Sequence, residues 1–112
     1  MFGTRIPLLF FIQEEIMIKH IVCFKLKDTS SAAKEAAAQR LLSMKGKVPV
    51  MKAIEVGTDF LGSARSYDII LQVTLETKAD LEAYQRDEYH CSFVKPYMHA
   101  NCVSSVAVDY EI

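Results

Sequence analysis

The segment IKHIVCFKLK, residues 18–27, decides the fold class of this 112-residue chain. Its side chains alternate between two faces, and such a period of two residues predicts a β-strand. One face is apolar apart from a single imidazole and carries Ile18, His20, Val22, Phe24 and Leu26. The other face mixes apolar and basic side chains, namely Lys19, Ile21, Cys23, Lys25 and Lys27. The first strand therefore places a histidine in a layer that should be buried.

The segments after this strand predict a regular order of helices and strands. DTSS, residues 28–31, offers N-cap residues for a helix over 32–46, whose apolar stripe is Ala33, Ala37, Leu41 and Met44. Strands are predicted over 50–57, 67–76 and 103–112, and TKADLEAYQ at 77–85 opens a second helical region. The order β-α-β-β-α-β predicts an α+β fold, a ferredoxin-like four-stranded antiparallel sheet with helices on one face.

The second face of this sheet predicts a partner. It carries Ile21, Cys23 and Ile70 among polar residues, and a sheet face in contact with water has no need of such apolar side chains. A second sheet packed on that face would explain them. The expected assembly is a homodimer.

Composition excludes several classes of function. The formal net charge is −1 and no run of consecutive Lys and Arg occurs, which argues against binding of nucleic acid or of an anionic membrane. Three cysteines without a C-x-x-C spacing favour free thiols in a reducing cytoplasm. The apolar run IPLLFFI is much shorter than the ~20 residues that span a bilayer. We expect residues 1–16 to be an N-terminal extension and residues 17–112 to be the domain, with Met17 as a hypothetical natural start.

The segment YQRDEYH, residues 84–90, predicts a break in the second helical region. His90, Phe93, Val94 and Tyr97 form an apolar stripe at helical spacing. A straight helix would turn Tyr84 ~120° away from His90 and leave it facing outward. A break near residues 86–89 lets both side chains face the sheet, where His20 also lies. An apolar layer with a few convergent polar groups is typical of a small-molecule site.

Several segments together resemble a known family. IKHIVCFKLKD, MKAIEVG, YDIILQVTLETKADLEAYQRDEYH and SSVAVDY resemble the stress-responsive A/B barrel domain (Dabb) family over residues 17–112. The resemblance implies a ferredoxin-like subunit in a dimeric α+β barrel. It extends to a plant polyketide cyclase of this family, which uses a Tyr-x5-His pair and a strand-one His without metal or organic cofactor. These match Tyr84, His90 and His20.

Two positions depart from that cyclase. Asp87-Glu88 stands where it has a His-Pro pair, and its first-helix tyrosine falls near Leu41.

The predicted chemistry is proton abstraction next to a carbonyl group. A neutral imidazole accepts a proton near neutral pH, and a phenol donates a hydrogen bond to a developing enolate oxygen. His90 is therefore the candidate base, Tyr84 the oxyanion donor and His20 a supporting polar group. The expected walls of the ligand site are Val22, Phe24, Leu71, Val73, Phe93 and Val94.

Three functions stay open at this point. The first is a cofactor-free, polyketide cyclase-like enzyme that binds a small apolar molecule and acts on an enolisable carbonyl. The second is a non-catalytic dimer that binds a ligand or serves a stress response, and the third is a cofactor-free monooxygenase-like enzyme. A metal site at His90, Cys91, His99 and Cys102 lacks the tight spacing of known ligand sets, so no metal is expected.

Overall fold

The structure, a computed structural model, describes residues 16–112, so the predicted extension lies outside the described residues except for Ile16. Four strands and three α-helices follow one another along the chain. They are β1 (Ile18–Leu26), α1 (Ser31–Leu42), β2 (Ala53–Thr58), β3 (Ile69–Leu75), α2 (Lys78–Arg86), α3 (Lys95–Asn101) and β4 (Cys102–Glu111), with a π-helical turn at His90–Val94 before α3. The predicted order of elements is confirmed.

The four strands form one antiparallel sheet in the order β2-β3-β1-β4. β1 is central, and its His20 lies between Val73 of β3 and Asp109 of β4. This is the predicted ferredoxin-like plan. Both helical regions begin at caps that the sequence indicates, because Ser30 and Thr77 accept hydrogen bonds from backbone N–H groups three residues later.

The core lies between the helices and the predicted apolar face of the sheet. On β3, Ile69, Leu71, Val73 and Leu75 are all buried, as the alternation predicts. From the other side, Ala37 and Leu41 of α1 and the following Met44 complete the same cluster. β2 begins at Ala53, three residues later than predicted, because residues 44–50 form turns instead.

The helical region breaks where the sequence predicts it. α2 ends at Arg86, and Asp87 adopts a non-helical backbone with ψ at 136°. The chain then re-enters a helix and widens into the π-helical turn, in which the Lys95 N–H donates to the His90 carbonyl oxygen, five residues back.

The wide turn overturns one detail of the prediction. Val94 is buried as expected, but Phe93 is 43% exposed. Bonds from residue i to i+5 take more residues per turn than those of an α-helix, so Val94 rather than Phe93 follows His90 on the buried side. The buried stripe is His90, Val94 and Met98.

The sheet face opposite the helices leaves apolar side chains accessible. β4 contributes most of them, with Val106 48% and Val108 61% exposed. They lie beside Cys23 and Ile21 of β1 in the register of the two strands. Along residues 16–112, no helix has the length and hydrophobicity to cross a membrane.

Candidate functional site

A cavity of about 250 Å³ lies between the helices and the strands β1, β3 and β4. All three residues predicted as catalytic contribute to its wall. The complete lining is His20, Val22, Phe24, Leu41, Leu71, Tyr84, Gln85, His90, Val94, Lys95, Met98, His99, Cys102, Ser105 and Ala107. The structure therefore brings His20, Tyr84 and His90 together around one mostly apolar space.

The helix break positions the imidazole of His90. Its backbone N–H donates to Oδ1 of Asp87 at 3.0 Å, which caps the new helical segment. Its Nδ1 lies 3.0 Å from the carbonyl oxygen of Tyr84. Because a carbonyl oxygen only accepts, Nδ1 carries the proton and Nε2 keeps its lone pair in the neutral ring.

The Nε2 atom of His90 is left free by the part of the chain that the structure describes. Within residues 16–112 it has no hydrogen-bond partner, and no fully buried side-chain N or O atom in that range lacks one. Nε2 is therefore accessible, although the residue as a whole is only 7% exposed. Since His90 lines the cavity, its free lone pair is available to a bound molecule.

Burial also sets the protonation state of His90. Desolvation lowers its pKa below the usual value for histidine, and the nearby Lys95 and His20 lower it further. The hydrogen bond to the Tyr84 carbonyl and the charge of Asp87 act in the opposite direction. The net result favours a neutral imidazole at pH 7, which is the state that accepts a proton.

Tyr84 has its ring at the cavity and its hydroxyl in the core. The side chain is fully buried, and its ring stacks on His90 with 4.3 Å between the ring centres. The hydroxyl donates to the Sδ atom of Met44 at 3.9 Å. Burial, and secondarily the charge of Asp87, raises the pKa of this phenol, so the hydroxyl stays protonated.

His20 is held by a carboxylate. Its Nδ1 contacts Oδ1 of Asp109 on the neighbouring strand β4, and its ring meets Tyr84 edge-on at 5.4 Å. His20 is buried, whereas the Asp109 side chain is 41% exposed. Nδ1 donates to the carboxylate, which fixes the orientation of the ring.

The six residues expected to wall a ligand site divide into two groups in the structure. Val22, Phe24, Leu71 and Val94 line the cavity. Val73 belongs to the fully buried core and Phe93 faces outward, so neither is a lining residue. Val73 does share the buried face of β3 with Leu71, but the cavity lies nearer the β4 side of the sheet.

Lys95 and Asp109 are functional candidates that the sequence did not reveal. Lys95 lines the cavity, and its ammonium group donates to the carbonyl oxygen of Gln85, another lining residue, at 3.1 Å. A regular α-helix would place a residue five positions after His90 ~140° away from it. The π-helical turn removes that separation. Asp109 would have been found from the register of β4 against β1, which brings it opposite His20.

Metal ligands do not cluster in the part of the chain that the structure describes. No group of three or more His, Cys, Asp or Glu side chains lies within reach of one ion there. The three cysteines of residues 16–112 are free thiols. The polar side chains that line this cavity are imidazoles, a phenol, an ammonium group, the Cys102 thiol, the Ser105 hydroxyl and the Gln85 amide.

These features define a ferredoxin-like α+β domain with a histidine-bearing cavity beneath its helices. Residues 18–112 match the model of the stress-responsive A/B barrel domain, and the chain belongs to that family. No curated protein matches the sequence.

Solved structures of similar fold come from several organisms. A dimeric ferredoxin-like protein of unknown function from Thermobifida fusca is 23% identical, with a TM-score of 0.74 and coverage of 87% of this chain and 92% of that one. A dimeric protein of unknown function from Bacteroides fragilis is 26% identical, with a TM-score of 0.72 and coverages of 86% and 96%. The hydroxynitrile lyase of Passiflora edulis is 22% identical, with a TM-score of 0.71 and coverages of 86% and 93%.

Proposed function

We propose that this protein binds a small apolar carbonyl compound in the cavity and removes a proton from it with His90. The observation that carries the proposal is the hydrogen bond from Nδ1 of His90 to the Tyr84 carbonyl oxygen. That bond fixes the tautomer and leaves Nε2 as the basic atom of a ring that lines the cavity. The fold is also that of a hydroxynitrile lyase from Passiflora edulis, so the same architecture supports a lyase in another protein.

The reaction needs few groups. Nε2 takes the proton from the carbon next to a carbonyl group, and negative charge develops on the carbonyl oxygen. The apolar walls formed by Val22, Phe24 and Leu71 exclude water and strengthen electrostatic interactions with that charge. The proposed step transfers a proton and no electrons, and it uses only side chains of this protein.

Tyr84 and His20 take supporting roles in this proposal. A thioether is a weak acceptor, so an enolate oxygen within reach of the Tyr84 hydroxyl would be a better partner than Met44. His20, oriented by Asp109, supplies a second polar group at the same wall. The convergence of the three side chains on one cavity supports both roles.

The test is hydrogen–deuterium exchange in D2O at the carbon next to the carbonyl, followed by NMR for a panel of small apolar ketones and thioesters. We expect His90→Gln to slow exchange by about 10²- to 10⁴-fold. Cys91→Ser is the control, because Cys91 is adjacent in sequence but exposed and outside the cavity wall. Equal exchange rates in the His90→Gln and wild-type proteins would exclude His90 as the base.

A non-catalytic ligand-binding protein is the second candidate. It is favoured by the contact of the Tyr84 hydroxyl with Met44, which turns the candidate oxyanion donor into the core. In that case the panel compounds bind and shift the NMR signals of cavity residues, but no member exchanges faster than in buffer.

We further propose that the protein is a homodimer formed through the sheet face opposite the helices. In the isolated subunit the apolar side chains of Val106 and Val108 on this face are 48% and 61% exposed. Two solved structures of the same fold are of dimeric proteins. A reducing cytoplasm suits the free thiol of Cys23 on this face. Size-exclusion chromatography with light scattering should give twice the subunit mass, and Val108→Lys should give the single mass. A monomeric wild-type protein would contradict this assembly.

A further inference from the structure

The cavity carries one formal charge among the described residues that line it. Lys95 is the cation, and no Asp or Glu belongs to the lining. The nearest candidate anion on the sheet, Asp109, lies outside the lining, where it is engaged by His20. Lys95 therefore places a positive charge at the end of the cavity formed by the helices, while the carboxylate of Asp87, which lies outside the lining, is held by the His90 N–H.

The Lys95 ammonium is only partly satisfied by the protein. It is half-buried and donates one hydrogen bond, to the Gln85 carbonyl oxygen at 3.1 Å. Across residues 16–112, no carboxylate lies within 4.0 Å of it, in contrast to Lys52 and Lys78, which pair with Glu76 and Glu111 on the surface. An ammonium group has three N–H donors, so two remain for a ligand.

Lys95 and His90 belong to the same wall. The π-helical turn links them directly, since the Lys95 N–H donates to the His90 carbonyl oxygen. Both side chains line the cavity, and opposite them lie the apolar side chains of Val22, Phe24 and Leu71. A ligand that reaches both groups needs an anionic head beside Lys95 and an apolar body along the sheet.

We propose that the cavity binds small organic acids, with the carboxylate on Lys95 and the apolar body against β1 and β3. The volume of about 250 Å³ is slightly below the range of drug-sized pockets, about 300–1,000 Å³, which limits the ligand to a short-chain acid. This proposal rests on the proposed function for its catalytic consequence: the substrate class becomes apolar oxo acids, whose carbonyl group lies near His90.

The test compares a carboxylate with a neutral molecule of the same chain length. Hexanoate and 1-hexanol are titrated into the full-length protein, and binding is followed by two-dimensional NMR. We expect Lys95→Met to weaken hexanoate binding about tenfold and to change 1-hexanol binding by less than about twofold. Lys95→Arg, which keeps the charge, should retain most of the hexanoate affinity.

A second measurement needs no variant. Raising the salt concentration from about 0.01 M to about 1 M shortens the screening length from about 30 Å to about 3 Å. Hexanoate binding to the wild-type protein should weaken, and 1-hexanol binding should not. If Lys95→Met fails to fold, this comparison still tests whether the carboxylate of hexanoate binds to a positive charge.

The outcomes separate this inference from the proposed function. Equal effects on hexanoate and 1-hexanol, or no effect on hexanoate, would overturn the assignment of the carboxylate to Lys95. If hexanoate depends on Lys95 while His90→Gln leaves proton exchange unchanged, the acid-binding site stands and the catalytic proposal falls. If the reverse is found, catalysis stands and the ligand head lies elsewhere.

Discussion

Replacement of Tyr84 by phenylalanine separates the structural role of this residue from its chemical one. The ring is fully buried, stacks on His90 and meets His20 edge-on. Phenylalanine keeps the buried surface of the ring and its contacts with both histidines. Only the hydroxyl and its contact with the Met44 sulfur at 3.9 Å are lost.

The expected cost to stability is small. A neutral hydrogen bond contributes about 0.5–1.5 kcal/mol net, and a thioether is a weak acceptor, so Tyr84→Phe should destabilise by about 0.5 kcal/mol. For a domain of this size that corresponds to a loss of about 2–4 °C in melting temperature. Tyr84→Ala, by contrast, removes the whole ring and should cost about 3–5 kcal/mol, a large part of a typical folding free energy.

Two assays on Tyr84→Phe distinguish a structural role of the hydroxyl from a chemical one. Urea unfolding followed by circular dichroism measures stability, and deuterium exchange of the carbonyl panel measures proton abstraction. If the hydroxyl turns from Met44 to the developing enolate, Tyr84→Phe slows exchange about 10²- to 10³-fold with stability almost unchanged. A stability loss above about 2 kcal/mol would refute the reasoning, because a weak contact with sulfur cannot supply it.

Three further perturbations test the support of the site. Asp87→Ala removes the acceptor of the His90 N–H at 3.0 Å and should cost about 1 kcal/mol in urea unfolding, whereas Asp87→Asn should retain most of the cap. Because burial lowers the pKa of His90 in the folded chain, the neutral ring contributes its full stability above the unfolded-state pKa of about 6.5, and this stability is lost as the pH falls below that value, with a slope of at most about 1.4 kcal/mol per pH unit. His90→Gln should therefore flatten the pH dependence of the urea midpoint between about pH 7 and 5. An unchanged pH dependence in this variant would contradict a buried neutral ring. Arg40→Met removes a guanidinium that lies 4.0 Å from the Phe93 ring centre and donates to the Phe93 carbonyl oxygen at 3.0 Å. This variant should lower the free energy of unfolding by about 1 kcal/mol, and Arg40→Lys should recover little of that loss because an ammonium group does not stack on a ring. Full recovery of stability by lysine would show that the charge alone matters.

The fold was readable from the sequence because its strands are half-buried. Apolar and polar side chains alternate along β1 and β3, and this pattern predicts which side chains pack against the helices. Ile69 and Leu71 are buried on the face that the pattern predicts. The N-caps Ser30 and Thr77 were equally local signals. The start of β2 was missed because turn formation before Ala53 depends on contacts that a strand pattern does not encode.

The site was predictable only as far as regular geometry extends. Tyr84, His90 and His20 converge because a break was inferred from the phase of two apolar stripes. The same reasoning failed for Phe93, since it assumed an α-helix after the break. Lys95 was missed for the same reason, because α-helical spacing separates it from His90 and only the π-helical turn brings both to one cavity.

Asp87 has a physical role that explains why a carboxylate is useful at the break. Its backbone ends α2, and its Oδ1 accepts the His90 N–H that begins the next segment. A His-Pro pair ends a helix differently, since proline has no N–H and has a fixed φ. In this chain the Asp87 side chain caps the segment that contains the π-helical turn, and that turn sets the positions of His90 and Lys95. The carboxylate of Asp87 thus fixes the start of the segment that carries the imidazole and places a negative charge near it, which raises the pKa of His90 against the effect of burial. The proposed base thus keeps more of its basicity than burial alone would leave it, because the hydrogen bond to the Tyr84 carbonyl oxygen and the charge of Asp87 both oppose desolvation.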